Sequence, residues 1–158
     1  MERKKQKKKI LRKWHYANSI HTVDLLRYFC GEVKTVETFV QKKNFKEKNL
    51  ASIIKFKKNI IGIYNTYWNS QDGWSIKLLS KDYTIFIKPL EHATVFFKNK
   101  KKQNINLDSF DKKYKTGFYL QALAFKNLLQ RNEKKWPVQN LKDVLKTYSL
   151  IKKIFKDE

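Results

Sequence analysis

The sequence is poor in glycine, and this limits the cofactors that it can hold. Its four glycines, Gly31, Gly62, Gly73 and Gly117, lie far apart along the 158 residues. Loops that bind dinucleotides or nucleotide phosphates need closely spaced glycines, because the backbone must approach the pyrophosphate without a Cβ in the way. The sequence therefore excludes both kinds of phosphate-binding loop within these residues.

Cysteine and histidine are also scarce. Cys30 is the one cysteine, so no internal disulfide can form, and this favours a reducing compartment. His15, His21, His92 and Cys30 have spacings that match no zinc-ligand pattern, so we expect no metal site. The sequence contains neither a secretory signal nor an apolar run of the ~18–20 residues that a membrane span needs. We therefore predict a cytoplasmic protein without a membrane partner.

Acidic residues are few: 14 Asp and Glu stand against 36 Lys and Arg, for a net charge of +22. A charge of this size indicates a negatively charged partner such as nucleic acid. However, only four of the basic residues are arginine, the side chain that recognises phosphate and guanine bidentately. An A/T-rich genome would also produce many lysines, because lysine has A/T-rich codons. The chain is rich in other residues with such codons, namely Asn, Ile, Phe and Tyr. A nucleic-acid-binding module and a compositional bias of the genome both stay open, with nucleic acid the less favoured partner.

The chain divides into a basic, flexible arm over residues 1–13 and one domain over residues 14–158. The domain opens with a predicted helix over Ser19–Cys30, which Asn18 or Ser19 can cap and Gly31 can end. The apolar stripe of this helix consists of Ile20, Val23, Leu26 and Cys30.

Six strands are predicted after this helix, because short β-branched and aromatic runs alternate with turn residues. Lys58–Asn59 and Gln71-Asp72-Gly73 are the clearest turns, and turns this short indicate antiparallel pairing. Residues 98–111 are interpreted as a polar loop. The strands are Val33–Val40, Leu50–Lys57, Ile60–Asn69, Trp74–Leu79, Tyr83–Lys88 and His92–Lys98.

Two predicted helices, Lys113–Gln130 and Leu141–Phe155, close the chain. This order predicts an α+β fold, a mainly antiparallel sheet of about six strands with helices packed on one face. The other face is apolar and has no helix to cover it, so we expect the chain to form a homo-oligomer through it. The predicted apolar faces of the two helices are Phe118, Ala122, Phe125 and Leu129, and Leu141, Val144, Leu145, Tyr148, Ile151 and Phe155.

His21 and Asp24 are the residues most suggestive of chemistry. They are three positions apart, on one side of the first helical turn. The positive end of the helix dipole favours a neutral imidazole and an ionised carboxylate. Such a pair can act as a base or hydrogen-bond a polyol. A capping aspartate and a structural histidine would give the same pattern.

The segment His21–Val33 reads H-x-x-D-L-x-R-x-x-x-G-E-V, and it resembles the opening of the C-terminal domain of the Gfo/Idh/MocA oxidoreductases. This family includes glucose–fructose oxidoreductase and inositol dehydrogenase. Further along, Ile53–Trp68 resembles a strand pair of the family, and Tyr114–Leu129 and Leu141–Ile154 resemble its last two helices. The likeness extends over roughly residues 14–155.

The resemblance implies a two-domain enzyme that acts on a sugar or polyol. An N-terminal Rossmann domain would bind NAD or NADP, and the C-terminal domain would form the substrate wall and an oligomerisation sheet. His21 matches the family's catalytic histidine, and Asp24 matches an aspartate that contacts substrate. The sequence departs from the family at Ala17, where an aspartate usually orients the histidine. The remaining candidates for substrate binding are Asn18, Tyr16, Lys115 and Tyr119.

The 158 residues hold no counterpart of the Rossmann domain. We therefore expect the chain to bind no cofactor and to be inactive alone, with a separate Rossmann-domain partner as one way to complete it. A split or truncated reading frame, or a gene remnant, is favoured over a stand-alone domain.

Overall fold

The fold is taken from a computed structural model, which describes residues 13–41, 49–68, 70–132 and 138–156. The α+β class is confirmed. The chain forms two compact units: the first contains the residues up to Gln71 and those from Lys142 onwards, and the second is Asp72–Leu141. Apart from Lys13, the predicted basic arm lies outside the described residues.

Five helices and seven strands are present in the described ranges. The helices are α1 (Trp14–Ala17), α2 (Ile20–Cys30), α3 (Ser109–Lys113), α4 (Phe118–Arg131) and α5 (Leu141–Phe155). The strands are β1 (Val33–Val40), β2 (Leu50–Phe56), β3 (Ile61–Thr66), β4 (Ile76–Leu79), β5 (Tyr83–Ile87), β6 (Ala93–Phe97) and β7 (Lys102–Ile105).

The strands form two antiparallel sheets rather than one. The first has the order β1-β2-β3 and the second β4-β5-β6-β7. The predicted turn at Gln71-Asp72-Gly73 does not close a hairpin, because this segment links β3 of one sheet to β4 of the other along the chain. The interpretation of residues 98–111 as a loop was wrong, because it missed β7. All four residues of β7 are exposed, so this edge strand shows no alternation of apolar and polar residues that could reveal it.

The core of the first unit lies between the inner face of β1-β2-β3 and helices α2 and α5. β2 alternates strictly, with Leu50, Ser52, Ile54 and Phe56 inside. The predicted stripe of α2 is confirmed: Val23 and Cys30 are buried, and Ile20 and Leu26 pack against the core. The other core residues are Tyr64, Trp68, Leu150, Ile151, Ile154 and Phe155.

The predicted apolar face of α4 was wrong, since all four of its residues are exposed, and that of α5 was wrong in part. On α4, Phe125 is 54% exposed and Leu129 is 70% exposed. On α5, Leu141 and Leu145 point to solvent. Apolar residues occur on more than one side of each helix, so helical spacing alone does not indicate which side is covered. The buried side of α5 is instead Thr147, Leu150, Ile151, Ile154 and Phe155.

Helix α4 begins at Phe118, five residues later than predicted, because Gly117 adopts a left-handed conformation with φ of 82°. The Gly117 amide donates to the carboxylate of Asp111 at 2.7 Å. The short helix α3 precedes this turn, and Asp108 caps it by accepting from the Asp111 amide at 2.8 Å. Among the described helices, none combines the length and apolar character that crossing a bilayer requires.

Candidate functional site

Helix α2 carries the two residues that the sequence singled out, and backbone geometry sets both of its ends. It ends at Gly31, whose φ of 84° places the chain in a region that suits glycine and whose amide donates to the Arg27 carbonyl at 2.8 Å. At the other end, Ser19 is the N-cap residue, as predicted, but its side chain makes no capping hydrogen bond. It is instead hydrogen-bonded to Tyr64.

Tyr64 is a buried polar residue beneath the start of α2 that the sequence did not indicate. It lies on the inner face of β3, and its hydroxyl is hydrogen-bonded to the side chains of Ser19 and Thr22. Burial raises the pKa of Tyr64, and these two hydrogen bonds only partly oppose that rise. The Thr22 hydroxyl donates in turn to the Ser19 carbonyl at 2.9 Å. These contacts attach the first turn of α2 to the sheet.

His21 lies between these buried residues in sequence but on the opposite side of the helix. Its neighbours Thr22 and Val23 are buried, whereas His21 is exposed. The neighbouring Thr22 is the residue of this turn that contacts Tyr64. The role of His21 as a base stays a prediction.

Asp24 makes a contact that its spacing from His21 did not predict. Its Oδ1 accepts a hydrogen bond from the Thr147 hydroxyl of α5 at 2.6 Å. Arg27 Nη1 donates to the same hydroxyl at 2.6 Å and to the Asp143 carbonyl at 2.9 Å. Arg27 Nη1 and Asp24 Oδ1 are 3.9 Å apart. The carboxylate of Asp24 therefore helps to hold α2 against α5.

Glu32 extends this network past the end of α2. Its carboxylate accepts from Lys146 at 2.8 Å and lies 3.5 Å from Arg27 Nη2. The hydrogen bond from Lys146 is the main reason why the pKa of Glu32 is lowered, and the positive charges of Lys146, Arg27 and Lys57 add to it. We call the group of Asp24, Arg27, Glu32, Lys146 and Thr147 the Arg27 network.

The Arg27 network gives a structural reason for most of the His21–Val33 motif. Arg27 lies close to both Asp24 and Glu32, and each of these three residues also contacts α5. Gly31 ends α2 just before Glu32. His21 is the polar motif residue on the exposed side of the helix. The spacing of Asp24 and Arg27 could have predicted their pairing, but nothing in the sequence points to Thr147 as their common partner.

Tyr16 and Asn18 lie just before α2. The ring of Tyr16 stacks on Tyr148 with centroids 5.4 Å apart, and it lies against His15, which is fully buried and stacks on Phe155 at 4.4 Å. Asn18 is half-buried, and its backbone N–H donates to the Trp14 carbonyl at 2.8 Å. The structure thus places both residues in the same unit as His21. Their role toward substrate stays a prediction.

Lys115 and Tyr119 lie in the second unit. Contrary to the prediction, Lys115 is not helical: it precedes Gly117, and its Nζ lies 4.5 Å from the Phe118 ring centroid. The Tyr119 ring is stacked between Phe110, at 4.3 Å, and Tyr114, at 5.3 Å. These contacts describe a packed aromatic cluster, and a part in a substrate pocket stays a prediction for both residues.

Among the described residues, no three His, Cys, Asp or Glu side chains are grouped closely enough to hold a metal ion. Gly31 ends α2, and Gly117 directly precedes α4. Gly62 lies within β3, where an added Cβ would meet the Phe56 ring at 3.0 Å. Each of these glycines has a structural use, and none is in a loop that could hold a pyrophosphate. Cys30 is buried in the core, which raises the pKa of its thiol.

The outer face of the first sheet is exposed and mixed: apolar side chains lie among polar ones, with Glu37 opposite Ile53 and Lys55 opposite Ile61. Strand register places Phe39, Ile53 and Ile63 on this face across its three strands, with Ile61 beside them. Ile61 is 67% exposed and Ile63 is 73% exposed. Exposed apolar residues grouped in this way are typical of a surface that binds another protein.

Comparison with known proteins finds likeness in structure rather than in sequence. No family model matches the chain. No curated protein matches it. Solved structures do match: a dehydrogenase from Chromobacterium violaceum superposes with a TM-score of 0.74 at 16% identity, over 94% of this chain and 46% of its own.

Two further oxidoreductase structures agree with it. One, from Thermotoga maritima, has a TM-score of 0.66 at 12% identity, over 90% of this chain and 41% of its own. The other, from Agrobacterium radiobacter, was solved with NAD+, L-tartaric acid and magnesium. It has a TM-score of 0.64 at 16% identity, over 87% of this chain and 44% of its own. The chain thus spans less than half the length of each of these proteins.

Proposed function

Since the chain has the fold of the C-terminal domain of Gfo/Idh/MocA-type oxidoreductases, we propose that it is the substrate-binding domain of an NAD(P)-dependent enzyme. The observation that carries this proposal is the pattern of coverage. About nine-tenths of this chain superposes on less than half of each oxidoreductase. The substrate class that we propose is a sugar or polyol with an oxidisable CH–OH group, because the His21–Val33 motif resembles the sugar and polyol members.

The proposed role of this chain concerns the proton rather than the hydride. Oxidation of a carbinol requires the hydroxyl proton to leave as the hydride departs, and a nicotinamide held by residues outside these 158 would accept the hydride. His21 is exposed at the first turn of α2 and is the base that we assign to the proton. The Arg27 network keeps α2 fixed on α5, so the imidazole is held on a rigid element.

Reconstitution tests this proposal. The chain would be mixed with, or fused to, dinucleotide-binding domains of structurally similar oxidoreductases, and reduction of NAD and NADP would be followed with a panel of polyols and aldoses. His21→Ala should lower kcat about 10²–10⁴-fold, the usual contribution of a general base. His92→Ala is the matched control, since His92 is an exposed histidine that the proposal does not use. Full activity of His21→Ala in a working pair would exclude His21 as the base, and no activity in any pairing would contradict the enzymatic role.

We further propose that the outer face of the first sheet joins two copies of the chain. Phe39, Ile53, Ile61 and Ile63 form its apolar surface. Ile63→Lys should shift the chain toward the monomer in sedimentation velocity, because a lysine would then be buried against an apolar face. Leu79→Lys is the matched control, an aliphatic residue of the other sheet with 74% exposure. A chain that is already monomeric at high concentration would contradict the proposal.

A further inference from the structure

The second sheet has two faces of different chemistry. One face carries Ile76, which is buried, and half-buried aliphatic residues of β5 and β6. On the other face, side chains at paired positions form two rows across the four strands. The first row is Lys77, Phe86, Thr94 and Asn104, and the second is Leu79, Thr84, Phe96 and Lys102. We call this surface the lysine–phenylalanine face, and none of its eight residues is acidic.

Two aromatic rings lie near its centre. Phe86 pairs with Thr94 and Phe96 pairs with Thr84, so the two rings are diagonal neighbours on β5 and β6, roughly 7–8 Å apart at their Cα atoms. Phe96 is 43% exposed, and Lys102 Nζ lies 5.9 Å from the centre of its ring. A cation therefore sits beside an aromatic surface that is open to solvent.

Positive charge continues at the edge of this face. The turn from β6 to β7 contributes Lys98, Lys100 and Lys101, all exposed, directly before Lys102. The backbone amide of Lys98 donates to the backbone carbonyl of Asp82 at 2.9 Å, which holds this turn beside the one between β4 and β5. With Lys77, the face and its turn present five lysines.

We propose that the lysine–phenylalanine face binds single-stranded nucleic acid, with bases stacked on Phe86 and Phe96 and the phosphates on the five lysines. Proteins that bind single strands combine aromatic platforms with a positively charged surface in this way. A duplex hides the faces of its bases, so it cannot use the rings. A second copy of this chain fits poorly, because Lys77 and Lys102 of both copies would be brought together.

The composition sets the expected specificity. Only four arginines occur in the chain, and none is on this face, so the bidentate contacts that read base edges are absent from it. Binding should therefore depend on salt and little on sequence. Neutralisation of about five phosphates predicts a slope of roughly −3.5 for log K against log salt concentration, at about −0.7 for each phosphate on a single strand. This inference does not rest on the proposed oxidoreductase role.

The test uses the full chain and a fluorescent oligothymidylate of roughly 15 nucleotides, a length within the range of a single binding module. Anisotropy titrations at several KCl concentrations would compare the double variant Lys100→Gln, Lys102→Gln with Lys152→Gln, Lys153→Gln. Both variants lose two charges, but only the first loses them from the face and its turn. The first should reduce the magnitude of the slope by about 1.4, and the second should leave it nearly unchanged.

The aromatic contribution is tested by Phe96→Ala, which should weaken binding about tenfold, and by Phe96→Trp, which should retain it. Circular dichroism of both variants shows whether the sheet is intact, and the pair of lysine variants tests the proposal even if Phe96→Ala fails to fold. Equal losses in the two lysine variants would show that only the total charge matters. Equal affinity for duplex DNA, or full competition by anionic lipid vesicles or heparin at matched charge, would also overturn the proposal.

Discussion

Removal of the Thr147 hydroxyl is the sharpest test of the Arg27 network. Thr147 is almost fully buried, with 1% exposure, and its Oγ1 lies 2.6 Å from both Asp24 Oδ1 and Arg27 Nη1. Thr147→Val keeps the shape of the side chain but makes neither hydrogen bond. Two charged groups on α2 would then face a methyl group across the contact with α5.

The size of the effect follows from the exposure of the two charged groups. A hydrogen bond to a charged group contributes about 1.5–3 kcal/mol, so two such bonds set an upper limit of about 3–6 kcal/mol. Side-chain exposure is 11% for Arg27 and 29% for Asp24, and their atoms are already 3.9 Å apart. Water and closer pairing therefore replace part of the loss, and the new methyl group adds about 0.8 kcal/mol of apolar burial. We expect a net loss of about 2 kcal/mol.

Urea unfolding followed by tryptophan fluorescence measures this loss, since Trp68 is buried in the same core. With a slope of about 1–3 kcal/mol per M, the midpoint should fall by about 1 M. Thr147→Ser keeps the hydroxyl and should lose much less, and a double-mutant cycle with Asp24→Asn should give a coupling energy of about 1–2 kcal/mol. Wild-type stability in Thr147→Val, or an equal loss in Thr147→Ser, would refute the reasoning.

Three further changes test separate features. Gly31→Ala should lower the free energy of unfolding by about 1–3 kcal/mol, because the φ of 84° at this position strains any residue with a Cβ. Gly73→Ala is the control and should be nearly neutral, since Gly73 has open space around it and no such φ. Equal melting temperatures of the two variants would contradict this. The pKa of Tyr64 is raised by burial, so stability should decline above about pH 10 as the unfolded phenol ionises first, and Tyr64→Phe should lessen that decline in alkaline unfolding curves. The pKa of Glu32 is lowered by Lys146, so its contribution is present above about pH 4.3 and is lost as the pH falls through the folded value. Glu32→Gln should flatten acid unfolding slightly, because the pair is exposed; an unchanged acid profile would show that the ion pair contributes nothing.

Local patterns predicted the local structure well. The stripe from Ile20 to Cys30, together with Gly31, predicted α2 and its end, because helix periodicity and a left-handed glycine depend only on neighbouring residues. The predicted hairpin at Lys58–Asn59 is also present, because its turn depends only on neighbouring residues; Asn59 adopts a φ of 58° there. The His21–Val33 motif predicted the fold correctly, although no comparison of sequences alone recovered it.

The candidate site was only partly predictable. Spacing placed His21 and Asp24 on one helical turn, and the structure has them there. Spacing did not show that the carboxylate of Asp24 contacts Thr147, which is 123 residues away in the chain. Long-range partners of this kind depend on how α2 and α5 pack, and no local pattern encodes that.

By itself, the sequence determined the α+β class, the helix that carries His21 and the lack of a phosphate-binding loop, since each depends on the types and spacing of nearby residues. Only the tertiary structure decided how the strands divide into two sheets, which side of α5 is buried, and which contacts Asp24 makes. The physical reason is that a helix with apolar residues on several sides, or a polar edge strand such as β7, has no preferred partner until the rest of the chain packs beside it.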